Sequence, residues 1–135
     1  MEVIEARGEA ATEAIGASLW KTLQAPACIL LDAPMGTGKT ALVRGMLRQA
    51  GHTGDVPSPT FAIVQPYETD PPLYHVDLYR LNSPSELAEL GIGDMLDVGI
   101  LAVEWPERGE GWPSDAILVR GLIREDGVRQ WTVQG

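Results

Sequence analysis

The sequence has little of what an extracellular, membrane-embedded or nucleic-acid-binding chain needs. A single cysteine, Cys28, excludes an internal disulfide, and its apolar neighbours predict a buried thiol in a cytoplasmic protein. The longest apolar run, residues 25–31, is far shorter than the ~18 residues that a membrane helix requires. The acidic N-terminal residues lack the basic-then-apolar order of a secretory signal. We therefore expect a cytoplasmic protein with no membrane contact.

Positive charge is also scarce. Ten Lys and Arg residues against nineteen Asp and Glu residues give a net charge of −9. Because gripping a nucleic-acid backbone requires a cationic face, we do not expect this chain to hold RNA or DNA by itself. No basic residues interleave with Trp105, Trp112 and Trp131, which we predict to pack rather than to stack on bases. Lys21 and Lys39 are the only two candidates for a role that requires an ammonium.

What the sequence does contain indicates one α/β domain over residues 1–135, with 44% apolar and 21% charged residues. Apolar periodicity and turn signals predict helices at 9–23, 39–49 and 84–90 and strands at 3–6, 27–31, 61–67, 73–76, 100–103, 116–124 and 128–133. The last two strands flank a hairpin turn. The expected architecture is a P-loop NTPase-like three-layer fold with a mixed parallel/antiparallel sheet and a C-terminal β-hairpin.

The strongest chemical signal is segment 33–40, Ala-Pro-Met-Gly-Thr-Gly-Lys-Thr, between a buried strand and a helix. It follows the phosphate-loop pattern G-x-x-x-x-G-K-[ST] except at Ala33, which replaces the first glycine. Lys39 is placed to reach the β and γ phosphates of ATP, and the Thr40 hydroxyl to bind Mg²⁺. The alternative is a plain strand-to-helix turn with an exposed lysine. The phosphate-binding residues that we predict are Met35, Gly36, Thr37, Gly38, Lys39, Thr40 and Ala41.

Phosphoryl transfer also needs carboxylates, and two acids follow apolar runs. Glu104 comes after run 100–103, at the carboxyl edge where phosphate loops open, which makes it the stronger metal candidate. Asp77 follows the less apolar run 73–76 and would bind the metal through water or orient the attacking water. The structural alternatives are a solvent-exposed strand-end acid for Glu104 and a turn cap for Asp77.

Four further polar residues have weaker signals. Thr60 lies in a rigid segment that could approach the metal and the γ-phosphate as a nucleotide-sensing loop does, although Ser-Pro-Thr alone is more often a plain turn. Arg80 could pair with a phosphate or a carboxylate, or form a surface ion pair. His52 and His75 have no metal-ligand partner at useful spacing, and we predict both to be structural or solvent-facing.

The order of these motifs resembles the bacterial TsaE family. The phosphate loop is followed by Ser-Pro-Thr at 58–60, Tyr-His-Val-Asp-Leu-Tyr-Arg-Leu at 74–81, Gly91 and Val-Glu-Trp-Pro at 103–106. The likeness runs from the first helix to Glu107, and the C-terminal hairpin agrees only in type. Residues 33–35 depart from the usual Gly-Asp-Leu, which leaves the loop path and its affinity open.

TsaE proteins are small P-loop ATPases required for threonylcarbamoyl modification of adenosine in the anticodon loop of certain tRNAs. The resemblance implies that Lys39 and Thr40 bind phosphate and Mg²⁺ and that Glu104 helps to hold the metal. It also implies that Asp77 is an essential acid near the γ-phosphate and that Thr60 belongs to a switch-like loop. The implied partners are TsaB and the transferase TsaD, a complex that ATP hydrolysis resets and that holds the tRNA.

Three functions are open at this point. The first is an Mg²⁺-dependent ATPase acting on a protein assembly, slow by itself because no arginine is assured beside the γ-phosphate. The second is a small-molecule kinase, for which little chain after Gly91 is left to form a lid. The third is a docking module in which the nucleotide is a structural switch and hydrolysis is incidental.

Overall fold

The computed structural model describes residues 2–57, 64–81, 83 and 85–134. Its helices are α1 (Glu9–Thr22), α2 (Lys39–Gln49), α3 (Glu86–Glu89) and α4 (Ile92–Val98), with a 3₁₀ turn at Pro106–Arg108. Its strands are β1 (Glu2–Ala6), β2 (Ala27–Asp32), β3 (Val64–Tyr67), β4 (Leu73–Asp77), β5 (Ile100–Glu104), β6 (Ile117–Ile123) and β7 (Arg129–Gln134). None of these helices has the length and apolar character that crossing a membrane requires.

All seven strands belong to one sheet, in the order β1-β7-β6-β2-β5-β4-β3. The four central strands, β6, β2, β5 and β4, run parallel, whereas β3, β7 and β1 are antiparallel to their neighbours. The predicted mixed sheet and C-terminal hairpin are therefore confirmed. Because parallel strands end at the same edge, the loop after β2 opens beside the last residues of β4 and β5.

Helices α1 and α2 cover one face of the sheet and approach each other backbone to backbone. A Cβ atom on Gly16 would lie 2.0 Å from the carbonyl oxygen of Leu42, and one on Gly45 would lie 1.9 Å from that of Glu13. Only glycine fits at this crossing, which is the close approach for which helices use it. The contact fixes α2, and with it the loop that precedes α2, against α1.

The opposite face is covered by α3, α4 and the turn after β5. Cys28, Leu101 and Val103 from the sheet pack there with Leu87 and Ile92 from the two short helices. Burial raises the pKa of the Cys28 thiol to about 12, with a smaller contribution from Asp115. The buried thiol and the three-layer arrangement are thus both as expected.

One local prediction needs correction. The expected helix at 84–90 is found as the shorter α3, Glu86–Glu89, whose N-cap residue Ser85 makes no side-chain cap bond and has its hydroxyl 2.8 Å from that of Ser83. Gly91 follows the C-cap residue Leu90 in the left-handed conformation (φ 76°) that ends a helix, as predicted, and it is also the N-cap residue of α4, which was not predicted. Strand β3 begins at Val64, and the part of its predicted range before that lies outside the described residues.

Candidate functional site

The loop between β2 and α2 folds back on itself. The Pro34 carbonyl accepts hydrogen bonds from the Thr37 hydroxyl (2.7 Å) and the Thr37 amide (3.3 Å). Gly36 (φ 85°) and Gly38 (φ 108°) have the positive φ angles that glycine adopts without strain. Ala33 is not among the described residues with positive φ, so its methyl group is accommodated where the pattern has glycine.

Several backbone amides at the start of α2 have no hydrogen-bond partner within the helix. The first backbone hydrogen bond of α2 runs from the Leu42 amide to the Gly38 carbonyl, at 2.9 Å. The amides of Lys39, Thr40 and Ala41 precede that bond and belong to the first turn of α2, whose donors have no partner within the helix. The helix dipole adds about half a positive charge at this end. The chemistry of this donor set fits a phosphate group.

The Lys39 ammonium lies inside the site rather than in solvent. Its Nζ donates to the Ala33 carbonyl (2.9 Å) and lies 3.8 Å from the centroid of the Trp105 ring. Glu104 Oε1 lies 3.9 Å from the same Nζ atom. Lys39 as a whole is only 6% exposed. Burial lowers the pKa of Lys39, and the nearby charge of Glu104 opposes this shift. The alternative of an exposed lysine on a plain turn is thereby excluded.

The two predicted acids are neighbours across the sheet. Asp77 ends β4 directly opposite Glu104, which ends β5. Glu104 is only 4% exposed, so it is not a solvent-facing strand-end acid. One of its carboxylate oxygens faces Lys39, and the other lies 2.5 Å from Nε2 of His75.

Asp77 is half-buried and accepts a hydrogen bond from the turn that follows β4. Its Oδ1 accepts the Tyr79 amide at 2.9 Å, so it does cap the turn after β4. Burial raises the pKa of Asp77, and the charge of Glu104 raises it further. The Tyr79 hydrogen bond and the charges of His75 and Lys39 oppose that rise. Asp77 is therefore both a cap and a perturbed carboxylate beside the phosphate loop.

Sequence reasoning missed His75 as part of this site. Of the two predicted alternatives, structural and solvent-facing, the structural one holds for His75, because the residue is fully buried and its ring bonds the carboxylate of Glu104, the predicted metal candidate. The sequence did contain a signal for a role of His75 in the site. Side chains alternate along a strand, which places His75 and the predicted acid Asp77 on the same face of the sheet. Its significance depended on the β4–β5 register, which no local pattern specifies.

An arginine from the hairpin is the second missed residue. Arg129, on β7, donates from Nη2 to the Gly36 carbonyl at 3.3 Å and from Nη1 to the Gly127 carbonyl at 2.6 Å. Arg80 is exposed in the turn after β4. Thr60 lies outside the described residues, as does the rest of segment 58–63. The structure therefore gathers the loop, Lys39, Asp77 and Glu104.

The three tryptophans that were predicted to pack differ in their surroundings. Trp131 is fully buried, and Trp112 donates from its indole nitrogen to the Pro106 carbonyl at 3.0 Å, so both pack as predicted. Trp105 instead covers the Lys39 ammonium and contacts Tyr79, with ring centroids 5.2 Å apart. Within the described ranges, Trp105 is the only residue other than glycine with positive φ (59°). Such strain is rare for a bulky side chain and marks this position as one that its surroundings enforce.

The side chains present fit a nucleotide-bound Mg²⁺ better than a resident metal ion. Across the part of the chain that the structure describes, no three His, Cys, Asp or Glu residues are grouped to hold a metal. Mg²⁺ is usually bound through one or two carboxylates, substrate phosphates and water. A Thr40 hydroxyl beside the loop amides and a Glu104 carboxylate at the same edge match that donor set.

Comparison with known proteins is consistent with this chemistry. Residues 6–131 match the family model described as threonylcarbamoyl adenosine biosynthesis protein TsaE. The chain is similar to tRNA threonylcarbamoyladenosine biosynthesis protein TsaE from Haemophilus influenzae, with 45% identity over 103 residues, 75% of this chain and 65% of that protein. It is also similar to the proteins of that name from Synechocystis (45% identity, covering 77% of this chain and 69% of that protein) and Nostoc (40%, 86% and 75%). The chain thus spans just under two thirds of the Haemophilus protein.

The fold itself is also found among solved structures. The crystal structure of Bacillus subtilis YdiB superposes with a TM-score of 0.78, covering 98% of this chain and 83% of that one. Sequence identity over the superposition is 23%, so this likeness concerns the fold alone.

Proposed function

This chain belongs to the TsaE family, and on that premise we propose that it is an Mg²⁺-dependent ATPase that serves threonylcarbamoyl modification of adenosine in tRNA. One observation carries the proposal. The phosphate loop, the Lys39 ammonium and two carboxylates from separate strands meet at a single edge of the sheet. We take residues 1–135 to act as one ATPase domain.

In this proposal the backbone of residues 35–41 holds the triphosphate. The amides at the start of α2 donate to phosphate oxygens, and Lys39 exchanges its bond to the Ala33 carbonyl for the β and γ phosphates. The Thr40 hydroxyl and Glu104 would hold Mg²⁺, which would neutralise charge on the phosphate oxygens. Lys39 leaves a carbonyl and an aromatic face, both weaker partners for an ammonium than a phosphate is.

Asp77 is the group that we assign to the attacking water. It lies opposite Glu104 at the open edge, and its raised pKa is the direction that suits a carboxylate exchanging a proton near neutral pH. Thr60 is our candidate for a switch-like loop that senses the γ-phosphate. Hydrolysis by the isolated protein should be slow, because lack of an arginine finger forfeits roughly 10³- to 10⁵-fold in rate.

We propose that the partners are TsaB- and TsaD-like proteins, on which nucleotide hydrolysis acts as a reset step. The net charge of −9 supports a division of labour in which those partners hold the tRNA. The single buried cysteine supports a cytoplasmic location for the assembly.

Two substitutions test the ATPase. Lys39→Ala should abolish binding of ADP and of a non-hydrolysable ATP analogue in calorimetry. Glu104→Gln should bind both but lose turnover by about 10²- to 10³-fold. Phosphate release by the unaltered protein should be slow alone and rise when the partner pair is added.

Three results would contradict the proposal. Equal, fast turnover with and without partners would remove the regulatory step. If both variants dock and support tRNA modification, the nucleotide is incidental and the protein is a docking module. Transfer of the γ-phosphate to a nucleoside or sugar acceptor, instead of release into solution, would identify a small-molecule kinase.

A further inference from the structure

The His75–Glu104 contact is a buried polar pair in the site to which the proposed function assigns no role. His75 is fully buried on β4, and Glu104 is 4% exposed at the end of β5. The His75 Nε2 atom lies 2.5 Å from Glu104 Oε2, whereas Glu104 Oε1 is the oxygen that faces Lys39, 3.9 Å from Nζ. The two oxygens of one carboxylate thus have separate partners.

The chemistry of the pair fixes the proton on the ring. A carboxylate only accepts hydrogen bonds, so the His75 Nε2 atom carries a proton and donates it. Nδ1 is buried without a partner among the residues that the structure describes. A leucine of similar volume would remove the unsatisfied Nδ1 atom but would leave Glu104 Oε2 without its donor. Packing alone therefore does not account for an imidazole here.

The bond also restrains the neighbouring ammonium. With Oε2 tied to His75, the carboxylate cannot turn both oxygens toward Lys39 in a bidentate pair. At 3.9 Å the Lys39–Glu104 contact is looser than a hydrogen-bonded ion pair, so the ammonium keeps its freedom to move to a phosphate. Groups that hydrogen-bond a metal-binding side chain from behind commonly set its orientation in this way.

We propose that His75 is a positioning residue: its Nε2–H holds one oxygen of Glu104 so that the other is presented to Lys39 and the phosphate loop. The inference rests on the proposed function, because it assigns a partner to the acid that would help to hold Mg²⁺. It predicts that His75 acts on turnover and on Mg²⁺ dependence while leaving metal-free nucleotide binding unchanged.

The first test needs no nucleotide. The chain has two histidines, so long-range ¹H–¹⁵N spectra contain only two imidazoles. His52, half-exposed beside the Tyr67 ring, serves as the internal reference. We expect His75 to be the Nε2–H tautomer with a downfield proton that moves upfield in Glu104→Gln, while His52 is unchanged. An Nδ1–H tautomer, or a His75 signal indifferent to Glu104→Gln, would overturn the proposal.

The second test compares His75→Leu, which removes the donor, with His75→Gln, which keeps an N–H at a similar reach. His75→Leu should lower kcat by about 10- to 100-fold and raise the Mg²⁺ concentration for half-maximal turnover. Its affinity for ADP in EDTA should stay within about twofold, because the backbone cradle is intact. His75→Gln should recover a substantial part of the lost kcat, and His52→Gln should behave as the unaltered protein.

The outcomes separate this inference from the proposed function. Full kcat in His75→Leu, or a folded His75→Gln as impaired as His75→Leu, contradicts the positioning role. Failure of the unaltered protein to bind or hydrolyse ATP contradicts the proposed function, and the tautomer measurement still tests the contact. If His75→Leu does not fold, His75→Gln and the spectra decide.

Discussion

The two halves of the site are built by different means. The phosphate loop consists of consecutive residues, and its donors are backbone amides positioned by Gly36, Gly38 and the start of α2. The acid edge joins Asp77 and Glu104, which meet only because β4 and β5 pair in register. A backbone site depends on conformation and tolerates changed side chains, as Ala33 shows. A side-chain site depends on particular atoms and on what lies behind them.

The loop half should be most sensitive to changes that displace α2. Gly45→Ala would place a methyl group 1.9 Å from the Glu13 carbonyl oxygen, so α1 and α2 must separate. We expect the free energy of unfolding to fall by about 3 kcal/mol, measured by urea denaturation. Gly93→Ala in α4, where a Cβ meets nothing within 4 Å, is the matched control and should gain roughly 0.5 kcal/mol. Equal stability of the two variants would mean that the crossing is not tight.

At the acid edge, a substitution of Asp77 should lower activity but raise stability. Asp77→Asn keeps an oxygen for the Tyr79 amide but removes the charge, and we expect turnover to fall by about 10²-fold. Because burial raises the pKa of Asp77, its contribution to stability is present below its ordinary pKa and is lost as the pH rises through the raised value.

The charged Asp77 therefore costs stability at neutral pH, and Asp77→Asn should unfold at a higher temperature than the unaltered protein at pH 7. The gain, roughly 0.5 kcal/mol, should shrink toward pH 3. Glu110→Gln removes one charge from an exposed position and is the control. A variant that loses stability at pH 7 would show that Asp77 is chiefly structural.

A backbone change within the phosphate loop should have the next largest effect, on nucleotide affinity. Gly38→Ala forces a Cβ into a left-handed conformation (φ 108°) at the anion cradle, which costs about 1–2 kcal/mol. We expect ADP affinity to fall by roughly 5- to 30-fold in calorimetry. Gly51→Ala, at the other end of α2 with φ 100°, should lose similar stability but bind ADP normally. Equal losses of affinity would mean that strain anywhere on α2 reaches the loop.

The smallest effect should come from the hairpin contact that supports the loop. Arg129→Gln removes the donor to the Gly36 carbonyl, a single exposed hydrogen bond of 3.3 Å. Because such a bond contributes about 0.5–1 kcal/mol, ADP affinity should fall by roughly two- to fivefold. Arg124→Gln removes the same charge from the pairs with Glu5 and Asp126, and should leave affinity unchanged. A larger loss in Arg129→Gln would indicate direct contact with the nucleotide.

The contrast between a loop of consecutive residues and an edge built from paired strands also explains what could be predicted from the sequence. Helix α2 was expected at 39–49 and is found at Lys39–Gln49, because a local motif fixes its start. Helix α4 was not predicted, since its seven residues carry no clear apolar period and begin after a glycine. The positive φ of Trp105 was missed as well. The proline that follows disfavours the right-handed helical region at this position, but only tertiary contacts select the left-handed one.

The acids themselves were predicted, but their partners were not. An acid after a buried strand is a local pattern, and it placed Asp77 and Glu104 at the correct edge. The His75 contact and the Arg129 contact each join residues from distant parts of the chain. Their recognition required the strand order and register, which depend on how all the layers pack.

The position of β1 has a consequence for synthesis on the ribosome. This strand precedes the other described elements in the chain, yet in the described sheet it pairs with β7 alone, through Glu2–Ala6 against Arg129–Val133. Translation proceeds at about 5–20 residues per second, so β1 waits for several seconds without a partner. This strand can therefore join the sheet only after β7, the last strand of the described sheet in chain order, has been made.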